Sequence, residues 1–276
     1  MKTKVAAVIL NYKHLDDTLS CLSALKKADQ GKDVVYYVVD NSPTKETAKV
    51  FKTSYPKVVY ISSPTNPGFA GGNNLAIRQI LEKNFTHVLI INPDVTVGKR
   101  FFTPLLKHFE DNKVAIVAPA ISHTQKNIKM FGLEGKVNWD LAKPEHRNIK
   151  HLRSKKPINC EFVTFACVLI STDNFRKVGL LDEGYFMYLE DVDYCLTTKK
   201  DGYKIILDPS VLISHETSSS FKHPTQKLKI SFKSHLRFIH KWLSPLKRIR
   251  PLIYIFLLYP YLYFLWTYHE YKYRQK

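Results

Sequence analysis

The sequence predicts an α/β fold with a mostly parallel central sheet, and three observations carry that expectation. Over the first 120 residues, short β-branched runs alternate with helix-period stretches, the order that builds a sheet covered on both faces. The runs Val5–Leu10, Val34–Val39, Val58–Ile61, Val88–Ile91 and Val114–Val117 have strand length and no polar interruption. Two acids, Asp40 and Asp94, stand just beyond such runs, and ligands of open α/β sheets bind outside the carboxyl ends of the strands.

Taken in order, the first run follows Met-Lys-Thr-Lys and holds only six apolar residues before Asn11. That is short for the apolar core of an export signal and reads as a strand. A helix is expected over Asp17–Lys27, with Leu19, Leu22 and Leu25 on one face, and another over Gly72–Lys83, with Leu75, Ile77, Ile80 and Leu81. Between strand and second helix lies NPGFAGGNN, Asn66–Asn74. It is neither a dinucleotide fingerprint nor a Walker loop, but its glycines allow a ligand close to the backbone. Val88–Ile91 runs into Asn92-Pro93-Asp94, three turn-favouring residues that place a carboxylate at a strand tip.

The stretch 122–157 is polar and without period, and reads as loops with a short hairpin over the site. Phe162–Ile170 returns the chain to the core. YLEDVDYC, Tyr188–Cys195, crowds Glu190, Asp191 and Asp193 into the first turn of a helix reaching about Lys200. Val192, Cys195 and Leu196 point inward there, and Gly202 caps the end.

At 276 residues and 45% hydrophobic, the chain can bury a core for one or two domains. Cys21, Cys160, Cys167 and Cys195 are scattered without metal-binding spacing, which suits reduced thiols. The net charge of +18 is concentrated: residues 222–276 hold twelve Lys or Arg and one acid, Glu270. Over Leu228–Leu243 the residues Leu228, Phe232, Leu236, Ile239, Trp242 and Leu243 share a helical face. Lys229, Lys233, Arg237 and Lys241 recur on another, the pattern of an interfacial helix. Pro251–Tyr268 then runs eighteen residues without charge, with five tyrosines and Pro260 at its centre, and reads as a shallow, kinked membrane insertion.

Taken singly, Asp40 and Asp94 are turn or cap acids, the acids of YLEDVDYC favour any helix start, and His215 is a lone histidine after a strand. Together the motifs VAAVILNY, VVDNS, NPGFAGGNN, INPD, GLLDEGYFMYLEDVDYC and His215 resemble, in order and over residues 4–216, the family 2 glycosyltransferases. The branch they are most similar to is the rhamnosyltransferase-like one that builds bacterial cell-surface polysaccharides. The resemblance implies a GT-A fold over 1–221, with a nucleotide-sugar half to about 120 and an acceptor half after it, and helices over 222–276. It also implies Asp191 as catalytic base, and donor contacts from Asn11, Asp40, Asn66, Gly68, Gly71, Asn73, Asn92 and Asp94. Glu190 and Asp193 would serve the acceptor, and Asp94 with His215 a divalent Mg²⁺ or Mn²⁺. Thr197 stands where the family often has an Arg, so a diphosphate contact is in doubt there, with Lys199 or Lys200 as partial replacements.

The expected activity is therefore inverting hexosyl transfer from a nucleoside-diphosphate sugar, dTDP-rhamnose ahead of a UDP-sugar, to a glycan or lipid-linked acceptor. Galactofuranosyl, glucosyl or N-acetylglucosaminyl transfer are the alternatives within the family. The expected location is cytoplasmic, at the inner face of the membrane, with a homodimer left open. A different class, a non-catalytic protein binding anionic surfaces or nucleic acid, rests on the basic tail alone, and no nucleic-acid-binding signature accompanies it.

Overall fold

In the computed structural model, residues 2–28, 31–125, 128–215 and 224–274 are described. The chain runs β1 (Lys4–Asn11), α1 (Leu15–Ala28), β2 (Asp33–Asp40), α2 (Lys45–Thr53), β3 (Val59–Ser62), α3 (Gly68–Leu81), β4 (His87–Ile91), β5 (Val95–Thr96) and α4 (Phe102–Lys107). It continues through β6 (Val114–Gln125), β7 (Ile128–Asn138), β8 (Lys143–Ile149), β9 (Ile158–Asn159), β10 (Cys167–Ser171), α5 (Thr172–Val178) and α6 (Glu190–Lys200). Strand β11 (Lys204–His215) and helices α7 (Pro224–Trp242) and α8 (Pro245–Arg274) complete it.

One sheet takes the order β3-β2-β1-β4-β10-β6-β11-β5, extended by β7 and β8 beyond β6 and by β9 on β11. Strands β3, β2, β1 and β4 are parallel, as is the β6–β11 pair, and the remaining pairs are antiparallel. Alternation along each strand splits the core in two. Ala6 and Val8, Val88 and Ile90, and Val168 and Ile170 face one layer, while their neighbours Val5, Ala7, Ile9, Leu89, Ile91, Cys167 and Leu169 face the other. Helices α1 and α4 cover the second layer through Leu22, Leu25, Phe102 and Leu105. The first is covered by α3, α5, α6 and, less expectedly, the tail, whose Phe238, Ile239, Leu243 and Ile255 are fully or nearly buried in it.

Four expectations change. Residues 122–157 are not mainly loop: β6, β7 and β8 form an antiparallel extension, and the bulge between Gly132 and Gly135 hides its alternation. Helix α3 begins at Gly68, so most of the glycine-rich stretch is helical. Helix α8 passes through Pro251 and Pro260 as one element, held near the second by Phe232 against Phe256 and Tyr259 at 5.4 and 5.3 Å. Finally, Arg237 and Lys241 reach back to acids of the sheet domain instead of joining a solvent-facing stripe. The expected boundary at 221/222 lies outside the described residues. The four cysteines are separate, buried thiols.

Candidate active site

A cleft of about 500 Å³ opens at the C-terminal ends of β1, β2 and β4 and at the N-termini of α3 and α6. Asn66, Gly68, Asn92, Asp94, Glu190, Asp191 and His215 all line it. Residues up to 149 positions apart in sequence are brought together because strands of one sheet end at one edge.

Asp94 reaches this edge by a tight turn. The Asn92 amide donates to the Ala166 carbonyl at 2.8 Å, and the Val95 amide turns back to the Asn92 carbonyl at 3.3 Å. Short strand β5 then pairs with β11 so that Val95 lies opposite His215. Register alone therefore sets Asp94 beside His215, Nε2 to Oδ1 3.1 Å, with side chains 12% and 18% exposed. Among the described residues no three His, Cys, Asp or Glu side chains enclose a metal site. A carboxylate and an imidazole at a cleft wall nevertheless fit a hard cation that takes few protein ligands and completes its shell with diphosphate oxygens.

The wall where the donor contacts were expected is built on close backbone contact. Gly68 has φ +79°, and a Cβ there would overlap the Phe186 carbonyl oxygen. The next amide, Phe69 N, donates to that same oxygen at 2.7 Å. Asn41 Nδ2 holds the Gly68 carbonyl at 2.9 Å, and its buried Oδ1 has no partner among the described residues. Gly68 and Phe69, the first residues of α3, line the cleft here, their amides donating to Asn66 Oδ1 at 3.3 Å and to the Phe186 carbonyl.

Part of the expected donor set stands behind the wall. Asp40 is fully buried, accepting from Asn11 Nδ2 at 2.9 Å, the Ser42 amide at 3.0 Å and Tyr60 Oη at 2.8 Å. Burial, with Asp40 alongside, pushes the Tyr60 phenol up to about 12. Asn11 further accepts from the His14 amide and Thr18. Asn73 is buried and donates to the Phe69 carbonyl, and Gly71 faces Pro67. These four shape the loops that line the cleft without lining it.

Helix α6 presents its acids on an unusual entry. Tyr188 and Leu189 both take left-handed backbone, φ +72° and +70°, a conformation that costs about 1 kcal/mol or more for each non-glycine residue. They aim Glu190 and Asp191 at the cleft. Asp191 accepts from the amides of Val192 at 2.8 Å and Phe165 at 3.4 Å. Burial lifts its carboxyl above the ordinary range, while His146 and those amides restrain the rise. Glu190 is 6% exposed with Oε2 unpartnered among the described residues, and burial, then Asp191 and Asp193, raise it well above the ordinary range.

Asp193, expected on the acceptor side, does not line the cleft. It is 2% exposed and faces away from the cleft, bonded to Lys241, Trp242 and Tyr185. Neither substitute for the missing Arg lines the cleft: Lys199 donates to the Cys160 carbonyl at 2.8 Å, and Lys200 is exposed. Thr197 donates to the Asp193 carbonyl within its own helix. Sequence reasoning missed Asn41, His146, Thr164 and Phe186, all on the cleft wall. Asn41 was within reach, next to Asp40 at a strand end. His146 sits in a polar stretch with no local signal.

Residues 3–240 match the sequence family described as glycosyltransferase like family 2. The chain is 27% identical over 216 residues to the low-salt glycan biosynthesis hexosyltransferase Agl10 of Haloferax volcanii, covering 74% of this chain and 64% of that protein's length. It is 24% identical to the dTDP-rhamnosyl transferase RfbF of Shigella flexneri, covering 78% and 70% of the two chains. It is also 24% identical to the N-acetylglucosaminyl-diphospho-decaprenol L-rhamnosyltransferase of Mycobacterium tuberculosis, covering 85% and 84%. Among solved structures, GalNAc-T7 with UDP, GalNAc and Mn²⁺ superposes with TM-score 0.64 at 13% identity, covering 88% of this chain and 48% of that one. The mannosyltransferase PcManGT of Pyrobaculum calidifontis with GDP-Man and Mn²⁺ gives 0.62, also at 13% identity, covering 95% and 72%. These likenesses make the fold GT-A, and with a family match across most of its length, cleft included, this chain belongs to glycosyltransferase family 2.

Proposed function

We propose that the protein transfers L-rhamnose, with inversion, from dTDP-rhamnose to a lipid-linked glycan acceptor at a membrane surface. The observation that carries the chemistry is the meeting, in one cleft, of the Asp94–His215 pair, the α3 N-terminus and the Asp191 carboxylate. Asp191 takes the proton of an acceptor hydroxyl as that oxygen attacks the anomeric carbon. The bond from that carbon to the diphosphate oxygen breaks on the opposite face, and the nucleoside diphosphate leaves. Asp94 and His215 would hold a divalent ion, which when bound offsets charge growing on the leaving diphosphate. The raised Asp191 carboxyl suits a base, since basicity is weak at the ordinary carboxylate value.

The choice of rhamnose and of dTDP follows the relatives named above. A lipid-linked acceptor is supported by α8, which leaves Leu246, Phe256, Leu257 and Phe264 more than half exposed and is long and apolar enough to cross a bilayer. With basic residues at both of its ends, the reading favoured is a helix lying in the inner face of the cytoplasmic membrane. A role in nucleic-acid binding is not favoured, because Arg237 and Lys241 already pair with Asp182 and Asp193.

The test is a panel of dTDP-, UDP- and GDP-sugars, with and without EDTA. Metal-dependent turnover of dTDP-rhamnose is expected, and Asp191→Asn should lose ~10²–10⁴-fold in rate while keeping donor affinity. Turnover of a UDP-sugar alone would reject rhamnose, and an active Asp191→Asn enzyme would reject the base.

A further inference from the structure

Helix α7 holds the chain on both sides of the two acids that face the cleft. Ser234 Oγ donates to the Met187 carbonyl at 2.7 Å, immediately before the left-handed pair Tyr188–Leu189. Lys241 Nζ and Trp242 Nε1 donate to the two carboxylate oxygens of Asp193, at 2.7 and 2.8 Å, two positions after Asp191. Both anchors are closed to water, Ser234 being 3% and Asp193 2% exposed. A second layer backs the first. Asp182 receives Arg237 Nη2 at 2.7 and 3.0 Å and Lys241 Nζ at 2.8 Å, and Gly184 lacks the side chain that would strike the guanidinium.

We propose that Ser234, Lys241 and Trp242 are positioning residues of the catalytic centre, fixing the first turn of α6 and so the aim of Asp191. The inference rests on the reading of Asp191 as base. Its physical ground is that the shortest side-chain bonds on this turn from outside α6 come from α7, those of the Phe165 amide and Tyr185 being longer at 3.4 and 3.3 Å. The N-cap is Leu189, in left-handed backbone and with no side-chain capping bond, so the helix start is not anchored from its own end. Three carboxylates lie within four positions, and like charges so close push apart. The groups facing Asp193 are Lys241, Trp242 and Tyr185, with Asp182 and Arg237 behind them and Glu190 on its own helix. Lys241 brings the cation that lets the third acid stay buried. Without it Asp193 must take a proton or swing toward water, and either movement pulls on a turn that carries Asp191. Trp242 and Ser234 supply bonds that no solvent molecule replaces in place, because both sites are closed.

The experiment uses the full chain with Lys241→Met, Lys241→Arg and Trp242→Phe, the last removing one N–H while keeping an aromatic ring. Three quantities are followed: nucleoside diphosphate release from dTDP-rhamnose, affinity for dTDP with Mn²⁺, and hydrogen exchange of the peptide spanning 187–193. Lys241→Met should lower kcat on the order of 10²-fold, the scale of a base misplaced by about an ångström, with donor KM and dTDP affinity unchanged. Exchange across 187–193 should quicken in Lys241→Met and Trp242→Phe and return toward wild type in Lys241→Arg, while peptides of β1 and β4 stay protected. Unchanged exchange across 187–193, or a folded Lys241→Met enzyme with full kcat, overturns the proposal. So does a fall in kcat matched by an equal loss of dTDP affinity, which would signal general loosening. Asp191→Asn measured in parallel separates the two readings. Full activity there removes the base assignment, and the exchange data still decide whether α7 sets the turn.

Discussion

Glu190 is a carboxylate kept from water, with no partner for Oε2 among the described residues. Its raised folded-state value means that the folded chain holds a proton which the unfolded chain has released, over the window between the ordinary value, about 4.3, and the raised one. Stability therefore falls as pH rises through that window, and the full cost is present above it. Glu190→Gln should stabilise the protein at pH 7.5 by on the order of 1 kcal/mol, roughly 2 °C in Tm, and the gain should shrink away below pH 4. Thermal unfolding of both proteins at the two pH values checks it, and a variant no more stable at pH 7.5 would refute the assignment of strain to this side chain. The same turn shows where sequence stops being informative about residues. Asp191 and Asp193 look alike in YLEDVDYC, both being first-turn acids. What separates them is Lys241 and Trp242, some fifty positions later, which meet one and not the other. Asp94 was legible because a proline-fixed turn after a buried strand leaves few places for it to go. His215 was legible only through family likeness, since its nearness to Asp94 depends on the pairing of β5 with β11.

At the scale of elements, the junction between α3 and the loop before α6 joins two walls of the cleft through Gly68 and Phe186. Any side chain at position 68 meets both a left-handed backbone and the Phe186 carbonyl. Gly68→Ala should cost about 2 kcal/mol or more and weaken nucleotide binding as well, since the α3 amides and Asn41 are set by the same contact. Calorimetric titration with dTDP and Mn²⁺, alongside denaturant unfolding, checks both parts, and wild-type affinity with wild-type stability would disprove the close contact. This helix was expected four residues later, because Gly68 and Gly71 after Pro67 read locally as loop. Within it Asn73 and Asn74 bond to the Phe69 and Leu181 carbonyls. Strands β1, β2 and β4 and helix α6 were readable from unbroken apolar runs or a clear inward face. Helix α2 was not, as only Thr47 and Phe51 of its nine residues are buried, although the reciprocal Thr44–Thr47 cap marks its start. Strands β7 and β8 escaped because much of their length is exposed and a bulge breaks their period.

For the whole molecule, the tail joins two jobs that the sequence kept apart. One side of α7 and α8 completes a core layer with Phe238, Ile239 and Ile255, and the other side of α8 leaves Leu246, Ile249, Ile253, Leu257 and Phe264 in the open. Removing the tail is then a poor test of membrane binding, since it also opens the core and frees Asp193. Substituting the outer side is cleaner. Ile253 and Leu257 are 57% and 69% exposed, so Ile253→Glu with Leu257→Glu should leave folding intact. Each apolar side chain that enters hydrocarbon contributes about 1.5–3 kcal/mol, against about 1 kcal/mol for each basic residue near anionic lipid. The double variant should therefore lose most of its binding to vesicles of anionic phospholipid, with dTDP affinity kept. Sedimentation with such vesicles decides it, and undiminished binding would show that charge alone holds the protein there. The shared core also has a consequence in time. During synthesis the strands that carry Asp94 and His215 emerge before Phe238 and Ile255, so the layer beneath α6 stays open until α7 and α8 have themselves been made. A chain cut short, or clipped later, ahead of α7 loses that part of the core and the grip on α6 at once. On the membrane reading proposed above, such a fragment would not roam the cell transferring sugar to the wrong acceptors: competence and address would arrive together and be lost together.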